Sequence, residues 1–345
     1  MAICFVVLTR KGYADIRVCY DGSVLYYGET GEAGEPGAEI VLEGIQFNTE
    51  QVPPFTNSAS VMIVHNDKIV DGIPPTPGPI YHYTNILSAK SIVESGQLRL
   101  SPFAKANDDR ERQSWWFDVA CKDHTAPGLM PIDLSLELSK VLKEPWSFAS
   151  FSKDTMRWDE EAKGKLDASG WKQPSMWAHY SRRHQTFDGS SGSGAVLVFD
   201  RRELLHSLAI KYDNPIIMGD IVYFSDSNSL NVRSGFVVNY DEYNATELSL
   251  YAGAHLKAHW RSLFLTKYDG WSHEAETRLM INTPHGQERS APIIPALKEI
   301  IIGEGATESE VEGMRTALSG MGSSQPVTIS QARWRNGLPI KLSLS

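Results

Sequence analysis

Cysteine is scarce in this chain: Cys4, Cys19 and Cys121 are its only three, and no two have CxxC spacing. An odd number without that spacing excludes a disulfide scaffold and fits a reducing compartment, so the expected location is the cytoplasm. Positive charge is also in short supply, with 33 Lys and Arg against 42 Asp and Glu and a formal net charge of −9 at pH 7. That balance excludes a general nucleic-acid coat, which needs many cations to neutralise phosphates, while leaving room for a local basic groove. Arg182, Arg183 and His184 form one basic run and Arg201 with Arg202 another, and both read first as solvated helix faces. Long apolar runs are missing too. Ala2 to Leu8 is apolar but short, with neither basic leader nor small-residue cleavage site, so it reads as a β-strand and not a signal peptide. Nowhere do about 18 apolar residues run together, so no membrane span is expected.

What is present is globular material: 345 residues, 41% hydrophobic and 22% charged, enough to bury a sizeable core in one large domain with an extra segment or in two domains. From Met1 to Ile73 short β-prone runs (Ile3 to Leu8, Ile16 to Tyr20, Ser23 to Tyr27, Glu39 to Phe47, Ser60 to His65) are broken by Gly, Asn, Asp and Pro, which predicts a small β-rich N-terminal domain over 1–73. Gly72 to Pro79, GIPPTPGP, holds four prolines in eight positions and can continue neither helix nor central strand. Residues 74–79 are therefore the expected linker, and a second domain covers 80–345.

In that second domain strands alternate with helices. Ile80 to Thr84 reads as a strand and Ile86 to Ser95 as a helix capped by Thr84 or Asn85 and ended by Gly96. Further helices are predicted at Leu134 to Lys143, Ser175 to His184, Thr246 to Phe264 and Thr307 to Leu318, the last with acidic residues in its first turns as the helix dipole favours. Strands are predicted at Ser147 to Ser152, Ala195 to Asp200, Ile216 to Phe224, Gly235 to Val238, Thr277 to Ile281 and Ala296 to Ile302. The mixture is α+β. Gly189 to Gly194, GSSGSG, lacks a Gly-Lys-Ser/Thr ending and precedes a strand, so it reads as a flexible loop and not a phosphate cradle.

Three polar or aromatic islands lie on otherwise apolar strands. In the first, Tyr81 to Thr84, alternation puts His82 and Thr84 on one face and Tyr81 and Tyr83 on the other; the bland reading of His82 is a core histidine bonded to a carbonyl. In the second, SFASFS at Ser147 to Ser152, the hydroxyls of Ser150 and Ser152 share a face and could help position a planar ring. It is followed by Trp177, His179 and Tyr180 on a helix whose aromatics equally suit a buried stripe. In the third, Glu274, Glu276 and Arg278 fall on one face at period two, either as a working acid pair beside a guanidinium or as a solvent-facing edge with a surface salt bridge. His255 and His259, four apart on a helix, have zinc spacing but no HExxH and no third ligand nearby, so a surface pair and no metal is the expectation. A Ser-His-Asp hydrolase has no GxSxG elbow to support it.

Read together, these islands resemble an uncharacterised bacterial domain family. The matches are YHYTNILSAKSIVESGQLRLS at Tyr81 to Ser101, Asn107 with Asp108, FSKD at Phe151 to Asp154, MWAHY at Met176 to Tyr180, Lys267, HEAETR at His273 to Arg278 and LKEIIIG at Leu297 to Gly303. Thr277 departs from the Trp usual at that place. The family is in turn remotely similar to ADP-ribosyltransferases, including the DarT-type toxins that modify DNA. That resemblance implies a split β-sheet with flanking helices that binds NAD as a substrate. It further implies His82 at the adenosine-side ribose with Thr84 assisting, Tyr83 among the cofactor contacts, and Ser150 or Ser152 supporting the nicotinamide pocket. Trp177 or Tyr180 would stack on the ring, Glu276 would hold the 2′-hydroxyl of the nicotinamide ribose, and Glu274 would orient the nucleophile. Lys267 and Arg278 would pair with pyrophosphate or with acidic neighbours. The implied activity is transfer of ADP-ribose to a protein or nucleic acid, in a toxin or phage-defence effector whose N-terminal domain selects a partner protein. NAD hydrolysis and non-catalytic binding of a nucleotide or peptide are the alternatives.

Overall fold

The computed structural model describes residues 3–9, 12–18, 24–27, 61–65, 68–73, 78–106, 108–120, 132–159, 164–180, 194–225, 234–283, 288–322 and 326–344. The strand expected over 39–47, linker residues 74–77, Asn107, the basic run 182–184 and loop residues 189–193 lie outside them.

Twelve strands form one sheet. In chain order they are β1 (Val61–His65), β2 (Lys68–Ile73), β3 (Pro79–Asn85), β4 (Gln97–Pro102), β5 (Trp146–Lys153), β6 (Gly194–Asp200), β7 (Ile216–Asp220), β8 (Glu276–Asn282), β9 (Arg289–Pro292), β10 (Leu297–Ile302), β11 (Thr328–Arg335) and β12 (Leu338–Ser343). Across the sheet the order is β12-β11-β10-β6-β3-β5-β8-β7-β1-β2, with β4 pairing both β5 and β9 off that path. All pairings are antiparallel except β10 with β11. The strands Ile3–Thr9, Gly12–Val18 and Val24–Tyr27 make a separate antiparallel sheet. Together with helices α1 (Ile86–Ser95), α2 (Ile132–Lys143), α3 (Pro174–Tyr180), α4 (Arg201–Lys211), α5 (Leu248–Phe264) and α6 (Glu308–Gly320), this is an α+β architecture.

Local chemistry sets the boundaries. Asn85 accepts a hydrogen bond from Ser88 N at 2.8 Å and so starts α1, and Gly96, with φ of 64°, ends it in the left-handed region that favours glycine. Thr307 and Glu310 close a reciprocal capping box at the start of α6. The continuous apolar run of β6 is buried throughout because strands flank it and cores cover both its faces.

The sheet is split. β3 and β5 pair only at Ile80 with Lys153 and Tyr81 with Ser152, after which they diverge and β4 joins the far end of β5 at Ser101 and Pro102. One face of the whole sheet packs as a single core, with Ile80, Leu197, Phe151, Leu279 and Met218 against α1, α4 and α6. The opposite face has two cores. Phe148, Met280 and Ile217 lie under α2 and α5, while Tyr81, Tyr83, Val196 and Val198 lie under Trp171 and Trp177. Ser150, Ser152, Glu276 and Arg278 occupy that opposite face between them.

Two surface expectations are corrected. Arg201 is buried, because its guanidinium reaches across to Asp220 on β7, an acid that also accepts from Lys153 Nζ and Thr277 Oγ1 at 2.6 Å each. His255 is buried too, because α5 turns that stripe to the core, and it donates from Nε2 to the Gly235 carbonyl at 2.9 Å.

Candidate active site

The third island is buried instead of exposed at an edge. β8 runs centrally between β5 and β7, and Glu276 and Arg278 are each only 2% exposed. Glu276 Oε1 accepts from Ser150 Oγ at 2.6 Å and from Arg278 Nε at 2.9 Å. Its Oε2 lies 2.7 Å from Lys267 Nζ, an ion pair outside hydrogen-bond geometry. The backbone N–H of Glu276 donates to the Tyr223 hydroxyl at 2.9 Å.

Arg278 is anchored further by the Phe264 carbonyl at 2.8 Å and by Glu111, with its guanidinium over the Phe148 ring. Lys267 completes the network, 3.0 Å from Glu274 and 3.6 Å from Glu111. Burial alone would raise the Glu276 carboxyl, but Arg278 and Lys267 outweigh it and hold the acid well below the ordinary carboxylate range. Glu274 moves the other way, raised by burial and by the charge on Glu276, with Lys267 offsetting only part.

Glu274 reaches this network by a route its spacing did not suggest. It ends a 3-10 turn, Asp269–Glu274, and Ala275 with φ of 45° breaks the strand phase between it and Glu276. The period-two face therefore holds for Glu276 and Arg278 only.

His82 and Thr84 stand apart. Register aligns Tyr81 with Ser152 and Ser152 with Glu276, so these three share a face and His82 faces the other way. His82 ties back through Nδ1, which donates to the Ser150 carbonyl at 3.1 Å, and its ring lies 5.6 Å from Phe151. Burial pushes its pKa down, and that carbonyl restores part. Ser150 thus joins the two candidates, with its main chain on His82 and its side chain on Glu276.

Tyr83, Trp177 and Tyr180 form a neighbouring aromatic group. Tyr83 meets Trp177 edge-on at 5.5 Å and donates from its hydroxyl to the Gly170 carbonyl at 2.7 Å, while Trp177 Nε1 donates to the Trp171 carbonyl at 2.7 Å. α3 packs beside the Asp269–Glu274 turn, so this group borders the acid network. Ser152 Oγ, fully buried on that face, has no hydrogen-bond partner among the described residues.

Residues 176–279 match the family described as "Protein of unknown function (DUF2971)". The matched segment runs from within α3 to the middle of β8 and so contains Trp177 and Tyr180 together with Lys267, Glu274, Glu276 and Arg278, while Ser150 and Glu111 lie before it. No curated protein matches the chain. Among solved structures the chain is similar to DarT of Thermus sp. 2.9 in complex with NAD+, at 13% identity and a TM-score of 0.30, over 74% of this chain and 96% of that one. The same protein in complex with carba-NAD+ gives 12% identity and a TM-score of 0.29 over the same shares. Likeness that loose leaves the site to its own geometry.

Glu111, Tyr223 and Asp220 were not singled out by sequence. Glu111 lies in the DDRER stretch beside the Asn107-Asp108 match, the one signal near it, and Tyr223 and Asp220 sit in the strand predicted over Ile216 to Phe224, where nothing set either apart from its neighbours. Among the described residues no cluster of His, Cys, Asp and Glu is arranged to hold a metal, and no helix is long and apolar enough to cross a membrane.

Proposed function

We propose that the protein is an NAD-dependent ADP-ribosyltransferase whose acceptor is a macromolecule, protein or nucleic acid, in a toxin or phage-defence setting, with the N-terminal residues ahead of β1 selecting a partner. The observation that carries this reading is Glu276: an ionised, almost fully buried acid, hydrogen-bonded to Ser150 Oγ beside the unpartnered Ser152 Oγ, where the sheet divides. NAD would supply a glycosidic bond whose cleavage builds positive charge on the ribose. A carboxylate fixed beforehand in a site poor in water stabilises such charge more than it stabilises a neutral sugar. Arg278 and Lys267 keep Glu276 ionised, and Ser150 fixes its orientation. Ser152 Oγ and Glu276 Oε2 are buried polar atoms without a hydrogen-bond partner among the described residues, which supports a role for them in holding sugar hydroxyls of NAD. The raised Glu274 is suited to take a proton from an incoming nucleophile.

One observation favours a second reading, binding without turnover: both cations already neutralise Glu276, as in a structural ion cluster. Incubation with labelled NAD and candidate acceptors separates them. Transfer appears as label on a macromolecule, hydrolysis as free ADP-ribose, and the binding reading as retention of intact NAD. Glu276→Gln should lower turnover by about 10²–10³-fold, the scale of losing one preorganised electrostatic group. Equal turnover by both proteins would remove Glu276 from the mechanism.

A further inference from the structure

Beyond Arg278 and Lys267 a cavity of about 230 Å³ opens between α2, α5 and the Asp269–Glu274 turn. It is smaller than the roughly 300–1,000 Å³ of pockets for drug-sized ligands, so it suits one or two fused rings and not a dinucleotide. Of the residues the resemblance assigns to NAD, only Lys267 and Arg278 line it. It is distinct from the acid site and shares a wall with it.

We propose that this cavity binds a small ligand with a flat aromatic body and a single carboxylate, the carboxylate seated on the Lys143 ammonium. Lys143, at the last turn of α2, lines the cavity and is only 6% exposed. Its Nζ donates to the Gln113 carbonyl at 2.6 Å, and no carboxylate lies within ion-pair distance among the described residues. An ammonium has three donors, so this one has capacity left for an anion. The Phe103 and Trp115 rings, 5.4 and 5.3 Å from Nζ, offset part of the burial cost. Burial still pushes the group down to about 8, with Arg278 adding to the fall and Glu111 and Asp108 opposing it. The charge is therefore under-compensated, unlike those of Lys267 and Arg278, which are matched by Glu111, Glu274 and Glu276.

The remaining walls fix the rest of the ligand. Trp115, Phe224, Phe236, Leu263 and Trp271 present rings and apolar surface, which favours a planar body. Asp108 and Glu111 also line the cavity and would repel a second negative charge, which favours a monoanion over a phosphate dianion.

The test is calorimetric titration of the full chain with 2-naphthoate, 2-naphthalenemethanol and 2-naphthylmethylamine, which share a ring system and differ in charge. The expected order is carboxylate tightest and amine weakest. Lys143→Met, which keeps length and removes charge, should weaken 2-naphthoate by about tenfold or more, the loss expected for a charge-assisted hydrogen bond. Failure of 2-naphthoate to bind, equal binding of the amine, or unchanged affinity in Lys143→Met would each overturn the proposal. The comparison of the three compounds on wild type needs no variant to fold. No NAD is present, so the result is independent of the ADP-ribosyl reading.

Discussion

Arg278 stands between Glu276 and Glu111, so its loss would leave one buried and one half-buried acid with Lys267 alone to balance them. Breaking a buried pair by deleting one partner costs about 3–5 kcal/mol. Arg278→Met should therefore lower stability by about that much in urea unfolding, and a loss under about 1 kcal/mol would show that the network is not stabilising. Acid sensitivity follows from Glu276. Its folded carboxyl titrates below the unfolded value of about 4.3, so the unfolded chain binds more protons as pH falls through that value. The contribution is whole above about pH 4.3 and is lost toward lower pH. The thermal midpoint should fall more steeply for wild type than for Glu276→Gln between about pH 6 and 3. Ser152→Ala offers a cleaner probe of the site, because it removes a hydroxyl that has no partner among the described residues. Stability should hold or rise slightly while NAD turnover drops, and a parallel loss of both would make Ser152 structural. At this scale the acid and guanidinium of β8 were legible from period two. Glu274 was misphased because nothing in an alanine announces a left-handed φ, and the partners Glu111 and Tyr223 come from distant segments that no local pattern links to β8.

Elements were easier to read, since their ends rest on neighbours in the chain. Asn85, Gly96 and Thr307 act as caps as their chemistry predicts, and the helix at Ile86–Ser95 has the expected bounds. Less legible was the turn that covers Tyr81. Gly170 sits where an added Cβ would come 2.5 Å from the Tyr81 ring and 2.9 Å from the Lys153 backbone, and that backbone cannot swing aside as a side chain can. Gly170→Ala should destabilise by about 1–3 kcal/mol through overpacking. It should also loosen Tyr83, whose hydroxyl bonds the Gly170 carbonyl. An unchanged urea midpoint would mean that the turn shifts freely. The helix expected to run from Thr246 starts instead at Leu248, where Glu247 caps it by accepting from Ser249 N.

At the scale of the molecule, strand pairing across the sheet was beyond local reading, because period-two alternation says which face a side chain takes and not which strand lies beside it. The split is the clearest case: Ile80 to Thr84 reads as one strand, yet only its first residues touch β5 while its full length pairs with β6. That narrow junction has a consequence for dissection. On one side of it stand β3, β6, β10, β11 and β12, on the other β5, β8, β7 and β1, and the chain shuttles from side to side as it goes from β3 to β5, to β6, to β7 and finally from β8 to β10. Neither half corresponds to a contiguous fragment, so no single cut releases one intact, and a proteolytic nick in any of those crossings strands pieces of both.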